Sequence, residues 1–193
     1  MRDDKRERIL AAATAVFAER DFHQVSVSEV ASRAGVGKGT LYLYFPTKDD
    51  LHQESLRASL VGLGDQVERL ADTEASLEDT LCEIVLSILR FFWRRPHLLT
   101  IVQRFEQRGG KSARDRRRRV MEAIERVLAR HHVVAGGGPG RSLRAGFLLG
   151  MARAAILEHV PDDRPETHAG AIVDIFLHGV VGRASVRRRR RAA

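Results

Sequence analysis

Lys38, Gly39, Thr40, Tyr42, Tyr44 and Lys48 crowd into one short stretch, GKGTLYLYFPTKDDL, and their types suit a nucleic-acid contact. A glycine near a helix start exposes backbone N–H groups and lets a phosphate approach closely. A threonine offers a methyl and a hydroxyl to a thymine methyl or a base edge. Tyrosine hydroxyls are long-reach donors for phosphate oxygens. Thr47 is expected to cap the next helix, which puts Lys48 at its first position. A cation there opposes the helix dipole by roughly a few tenths of a kcal/mol. The free N–H groups at such an end attract anions, so a docked phosphate would satisfy both the amides and Lys48. Asp49 and Asp50 restore the usual dipole complement.

Other residues have the types but not the arrangement for chemistry. Asp174 and His178 stand at i, i+4 with His168 a turn or two earlier, a thin set for a metal without further carboxylates. Ala135-Gly136-Gly137-Gly138-Pro139-Gly140-Arg141-Ser142 has the look of a phosphate-binding loop. It lacks the first glycine, carries arginine for lysine and follows no strand pattern, and it reads as an interhelical loop. Cys82 lies on an apolar helix without a nearby cation or histidine, so inert burial is expected. No catalytic constellation emerges, and neither enzyme activity, a metal nor a cofactor is expected.

The elements that must position the first group are helical. Ser26-Val27-Ser28-Glu29 is a capping-box pattern, after which Val27, Val30, Ala31 and Ala34 line one side of a short helix. Gly35 stands where a left-handed C-cap is wanted. A second short helix follows, with Leu41 and Phe45 on its buried side. Two short helices joined by a glycine-containing turn form a helix-turn-helix whose second helix can enter a major groove. Ile9, Ala13, Val16 and Phe17 mark a preceding helix. Leu81, Ile84, Val85, Ile88, Leu89 and Phe92 mark a later one that stops before Pro96, and Val120, Ile124, Val127 and Leu128 another. Two last helices are expected over roughly 141–159 and 165–183. No stretch alternates with period two for long, so the chain is read as all-α.

At these residues the sequence resembles the TetR family of transcriptional regulators. Ala-Gly-Val at 34–36, Gly39-Thr40-Leu41-Tyr42, Tyr44-Phe45, Lys48 and Leu51 match that family's DNA-binding signature in order and spacing, tightly over roughly residues 8–55. The resemblance implies an N-terminal three-helix domain with a helix-turn-helix, a C-terminal helical ligand-binding and dimerisation domain, and about nine helices in all. The domains are placed at residues 1–47 and 48–184, with an arginine-rich tail at 185–193. The resemblance makes Lys38, Thr40 and Tyr42 recognition-helix contacts and gives phosphates to Tyr44 and Lys48. The full expected DNA-binding set is Ser26, Ser28, Gly37, Lys38, Gly39, Thr40, Tyr42, Tyr44 and Lys48. Gly37 departs from the family's usual capping serine, and Leu43 stands where a polar or aromatic residue is commoner.

The remainder carries more apolar surface than one small subunit easily buries. Phe91, Phe92, Trp93, His97, Val102, Phe105 and Met151 are the candidate lining of an effector pocket, which would suit an apolar or aromatic ligand. Phe147, Gly150, Ala154, Ile172, Phe176 and Val180 are the candidate two-fold interface of a homodimer. The expected partners are double-stranded DNA with a near-palindromic operator, a second copy of the chain and a small hydrophobic effector that releases a repressor. A regulator without a small-molecule ligand, acting through a protein partner, is the alternative. The two separate by whether any ligand changes DNA affinity.

Composition bounds the rest. The 193 residues carry a formal net charge of +8, yet residues 1–50 hold eight basic and eight acidic side chains. The excess lies in KSARDRRRR at 111–119, which nets +5, and in six arginines at 183–193. Asp115–Arg119 and Glu122–Arg126 have the favourable i, i+4 order for pairing along one helix. One cysteine precludes an internal disulfide. No apolar run approaches the ~18 residues of a membrane span, and the N-terminus lacks an apolar signal core. A reduced, cytoplasmic protein away from membranes is expected.

Overall fold

The computed structural model describes residues 2–95, 98, 102, 111–133, 140–160 and 162–181, and among them every regular element is a helix. In chain order these are α1 (Arg2–Glu19), a 3₁₀ turn (Phe22–Gln24), α2 (Val27–Arg33), α3 (Lys38–Tyr44), α4 (Lys48–Ala71), α5 (Leu77–Trp93), α6 (Lys111–Arg130), α7 (Arg141–Leu157) and α8 (Pro165–Phe176), which runs into a π-helical turn (Leu177–Val181). Residues 1–62 and 63–193 form two compact units, the division falling within α4.

The first unit is built on the apolar stripe of α1. Ile9, Ala13 and Val16 are fully buried, as are Val30 of α2, Leu41 of α3 and Leu51 of α4. α2 is delimited at both ends by its own sequence. Ser26 Oγ accepts from the backbone N–H of Ser28 at 3.2 Å. Glu29 does not complete the capping box, because Arg20 holds its carboxylate in an ion pair. At the other end Gly35 adopts φ +66°, its N–H donates to Ser32 O at 3.0 Å and the Val36 N–H donates to Ala31 O at 3.0 Å. This is a Schellman closure, which needs a residue free to enter the left-handed region.

The second unit buries Leu81, Ile84, Val85 and Leu89 of α5 against α8 and α7, with Ile124, Val127 and Leu128 of α6, Leu148 of α7, and Val173 and Phe176 of α8. Ser76 caps α5 by accepting from the Asp79 N–H at 3.1 Å, and Pro165 opens α8 where its missing N–H costs nothing. The arginines of α6 pair differently from the expected i, i+4 order. Arg119 donates to Glu68 at 2.6 Å and to Asp65 at 2.9 Å, and Arg126 lies 3.6 Å from Asp72. Asp65 and Glu68 on one side of α4, with Asp72 just past its end, meet the arginine row of α6, so charge is matched between segments. Arg118 pairs along its own helix, with Glu122 at 3.2 Å and Asp115 at 3.8 Å. The glycine-rich stretch at 134–139 and the tail at 185–193 lie outside the described residues.

Candidate nucleic-acid interface

The candidate interface starts from the turn that precedes α3. Gly37 is the N-cap of α3 at φ −70°, ψ 150°, and it contributes no side-chain cap, as its lack of a side chain requires. Leu41 and Phe45 anchor the inner side of α3 at 0% and 2% exposure. The same register turns Lys38, Gly39, Tyr42 and Leu43 outward. Tyr42 is 39% exposed and Leu43 84%. Leu43 thus stands open beside Tyr42 on the outward side of the helix. Ser26 and Ser28 are exposed at the start of α2, and Thr40 is half-buried. Tyr44 is half-buried against the core of the unit, so part of its ring serves packing.

The start of α4 is held by a reciprocal box. The Asp50 N–H donates to Thr47 Oγ1 at 3.0 Å, while the Thr47 N–H and hydroxyl donate to Asp50 Oδ2 at 3.1 and 2.7 Å. Lys48 has a partner that its sequence position does not reveal: its ammonium lies 4.4 Å from the centroid of the Phe22 ring. A cation over an aromatic face offsets the unfavourable dipole term. The position therefore makes sense without a nucleic acid, and a phosphate would add to this contact.

Beneath Lys48, His52 packs against Phe17 at 4.7 Å and Phe22 at 4.9 Å between ring centroids. Burial holds its imidazole below the ordinary histidine value of 6.5, with Asp49 opposing and Lys48 reinforcing the shift. The unfolded chain then takes up a proton near pH 6.5 and the folded chain only at lower pH. Stability is full above 6.5 and declines as pH falls toward the folded value. We expect the urea midpoint to drop between about pH 7.5 and 5.5. His52→Phe should flatten that decline, and an unchanged slope in the variant would reject the assignment.

Two residues of α1 that local sequence patterns do not single out also reach this region. Arg6 pairs with Glu54 at 3.2 Å and stands 5.4 Å over the Phe45 ring. Arg8 donates from Nη2 to Ala34 O at 2.7 Å and reaches Gly35 O at 3.4 Å. Both contacts span long stretches of chain, and no local spacing signals them.

The expected pocket and interface residues are divided by the fold. Phe92 is core, whereas Phe91, Trp93, Val102 and Met151 are half-buried. Trp93 stacks on His159 at 4.0 Å and meets His168 edge-on at 5.2 Å. His97 and Phe105 lie outside the described residues, as does the side chain of Val180. Phe147, Gly150 and Ala154 lie on the exposed side of α7 with Leu143 and Leu157. Ile172 and Phe176, expected at a subunit interface, are in the subunit's own core at 7% and 0% exposure. The register of α8 directs 172, 173 and 176 inward and leaves Ile175 outward at 60% exposure. Asp174 and His178 pair at 2.8 Å, but His168 is turned to Asp163 at 3.7 Å. Cys82 is half-buried, and burial with Glu78, Asp79 and Glu83 pushes its thiol pKa up, which disfavours the reactive thiolate. Among the described residues no helix is long and apolar enough to cross a membrane.

An outward-facing second helix, anchored from behind and preceded by a glycine turn, defines a helix-turn-helix DNA-binding protein. Residues 9–54 match the profile of the bacterial regulatory proteins of the tetR family. The fatty acid metabolism regulator protein of Bacillus subtilis (strain 168) is 31% identical over 150 residues, covering 77% of this chain and 76% of that one. The fold is shared with a TetR/AcrR-family regulator of Thermobifida fusca YX-ER1, with a TM-score of 0.69 at 22% identity over 91% of this chain and 98% of that one. It is shared also with FadR of Bacillus subtilis, solved in complex with stearoyl-CoA, with a TM-score of 0.60 at 20% identity over 90% and 98%. The chain belongs to the tetR family of DNA-binding transcriptional regulators.

Proposed function

We propose that the protein is a homodimeric repressor that reads a near-palindromic operator with α3 and is released by a small hydrophobic effector. The observation that carries the DNA reading is the outer face of α3, where Lys38, Gly39, Tyr42 and Leu43 stand clear of a fully buried Leu41. With one α3 per subunit in a major groove, half-sites are spaced by about 34–36 Å or a multiple of it. The dimer reading is supported by the exposed row Leu143, Phe147, Gly150, Ala154 and Leu157 on α7, an apolar and small-residue face suited to close helix packing. A stable monomer in sedimentation would overturn it.

The effector reading is supported by two kinds of observation. The relatives include a fatty acid metabolism regulator and a protein solved with stearoyl-CoA. In this chain the Trp93 Nε1 atom is buried without a hydrogen-bond partner among the described residues, a group that a polar part of a ligand would satisfy, while His159 Nδ1 beside it faces Asp163 Oδ2 at 3.8 Å. Release is then a population shift: the effector selects a state in which the two α3 helices no longer match the half-site spacing.

The test is binding to the gene's own upstream DNA, with excess competitor at fixed salt. Tyr42→Ala should lower operator affinity roughly ten-fold or more while sparing affinity for bulk DNA. Lys48→Ala should weaken all sequences alike and reduce the salt slope by about 0.9. Stearoyl-CoA should release the wild-type complex. If no sequence outcompetes bulk DNA and neither substitution matters, the DNA reading fails; release by no acyl-CoA removes the effector reading alone.

A further inference from the structure

We propose that Arg8 is a positioning residue for operator recognition, a clamp from α1 that sets the turn on which α3 is presented. The inference rests on the DNA reading above. Arg8 Nη2 donates to Ala34 O, the C-cap carbonyl of α2, at 2.7 Å and lies 3.4 Å from O of Gly35, the left-handed residue after it. Carbonyls at a helix C-terminus carry partial negative charge, so a guanidinium there gains from the dipole as well as from the hydrogen bonds.

The fit at the turn is tight. Gly35 is held at φ +66°, and a Cβ built on it would stand 2.6 Å from Arg8 Nη2. Glycine is required here for its backbone conformation, and a Cβ would also displace the end of the Arg8 side chain from its contact. The neighbouring arginines on and just after these helices are committed elsewhere, Arg33 to Glu19, Arg20 to Glu29 and Arg6 to Glu54. Arg8 alone of these four arginines is directed at the turn. The contact lies along a groove of about 460 Å³ lined by Ala11, Ala12, Ala15 and Ser32 as well as by the turn itself. Those small side chains leave the long arginine a clear path from α1.

Two residues beyond Gly35 stands Gly37, the N-cap from which α3 begins at Lys38. Base recognition needs side chains held within about 0.5 Å and 10–20° of their contact geometry, so a turn free to shift blurs the contacts of Tyr42 and Lys38 without unfolding the helix. Phosphate attraction, which tolerates such shifts, is unaffected.

Arg8→Ala, Arg8→Gln and Arg8→Lys are compared with wild type in operator and competitor-DNA affinity, salt slope and melting temperature. The expected result is a loss of operator affinity of roughly ten-fold in Arg8→Ala and Arg8→Gln, with competitor affinity and salt slope unchanged, a melting temperature lowered by only a few degrees, and recovery in Arg8→Lys. In addition, Gly35→Ala should weaken operator binding less in the Arg8→Ala background than in wild type, since the 2.6 Å clash is gone. Parallel loss of melting temperature and both affinities would make Arg8 a merely structural residue. Equal loss on both DNAs with a slope reduced by about 0.9 would make it a direct phosphate ligand. Either result, or unchanged operator affinity, overturns the proposal. Failure of wild type to prefer any operator rejects the DNA reading instead.

Discussion

Phe176→Ala is expected to destabilise the second unit by about 3–5 kcal/mol, through the lost transfer energy of the ring and the cavity left behind. That corresponds to a fall in melting temperature of roughly 6–20 °C for a chain of this size. Phe176 ends α8 at 0% exposure, where α8 packs on α5 and α7. The helices around it are held by their own caps and neighbours, so they collapse only partly into the void. Ile175, one residue earlier and 60% exposed, is the internal control. Ile175→Ala should change stability by less than about 0.5 kcal/mol. Urea unfolding of both variants decides the matter, and equal midpoints would mean that the α8 register described above is wrong.

The second large effect separates two leucines on one turn of α3. Leu41 is fully buried among α1, α2 and α4 residues, and Leu41→Ala should cost about 2–5 kcal/mol and abolish operator binding, because α3 loses its anchor. Leu43, at 84% exposure, contributes no burial to the fold. Leu43→Ala should leave stability within about 0.5 kcal/mol of wild type and lower operator affinity alone. Thermal melts run beside DNA titrations test both at once. Destabilisation by Leu43→Ala, or operator binding retained by Leu41→Ala, would invert the assignment of inner and outer faces.

Much of the first unit was legible in the chain because its signals are local. Ser26 capping α2, Gly35 at a positive φ and Thr47 capping α4 are each decided by a residue's own side chain, or its lack of one, within three positions. The apolar stripe Ile9, Ala13, Val16 and Phe17 and the pair Leu41 and Phe45 likewise point inward by period alone, and all six are buried. The α5 stripe from Leu81 to Phe92 behaves the same way.

What escaped the chain are contacts between residues far apart in it. Glu29 has the right spacing to complete a capping box, yet Arg20 takes its carboxylate. Lys48 reads as an unpartnered cation until Phe22 is brought beneath it. Asp115 and Glu122 stand at ideal helical spacing from Arg119 and Arg126, but Asp65 and Glu68 of α4 and Asp72 just after it take those arginines. On α8 both the interface and the core need apolar residues, so composition cannot divide Ile172 and Phe176 from Ile175; only the helix's rotation against α5 and α7 does.

The sequence by itself therefore determined the helices, most of their caps and the outward placing of Lys38, Gly39 and Tyr42, though not the half-burial of Thr40 and Tyr44, since hydrogen bonding and hydrophobic period act over three or four positions. The tertiary structure decided which charges pair, which apolar faces remain open and that Arg8 reaches the turn before α3. Those outcomes depend on distances between segments 26 to 54 residues apart, which no local pattern encodes and which packing of the core alone sets.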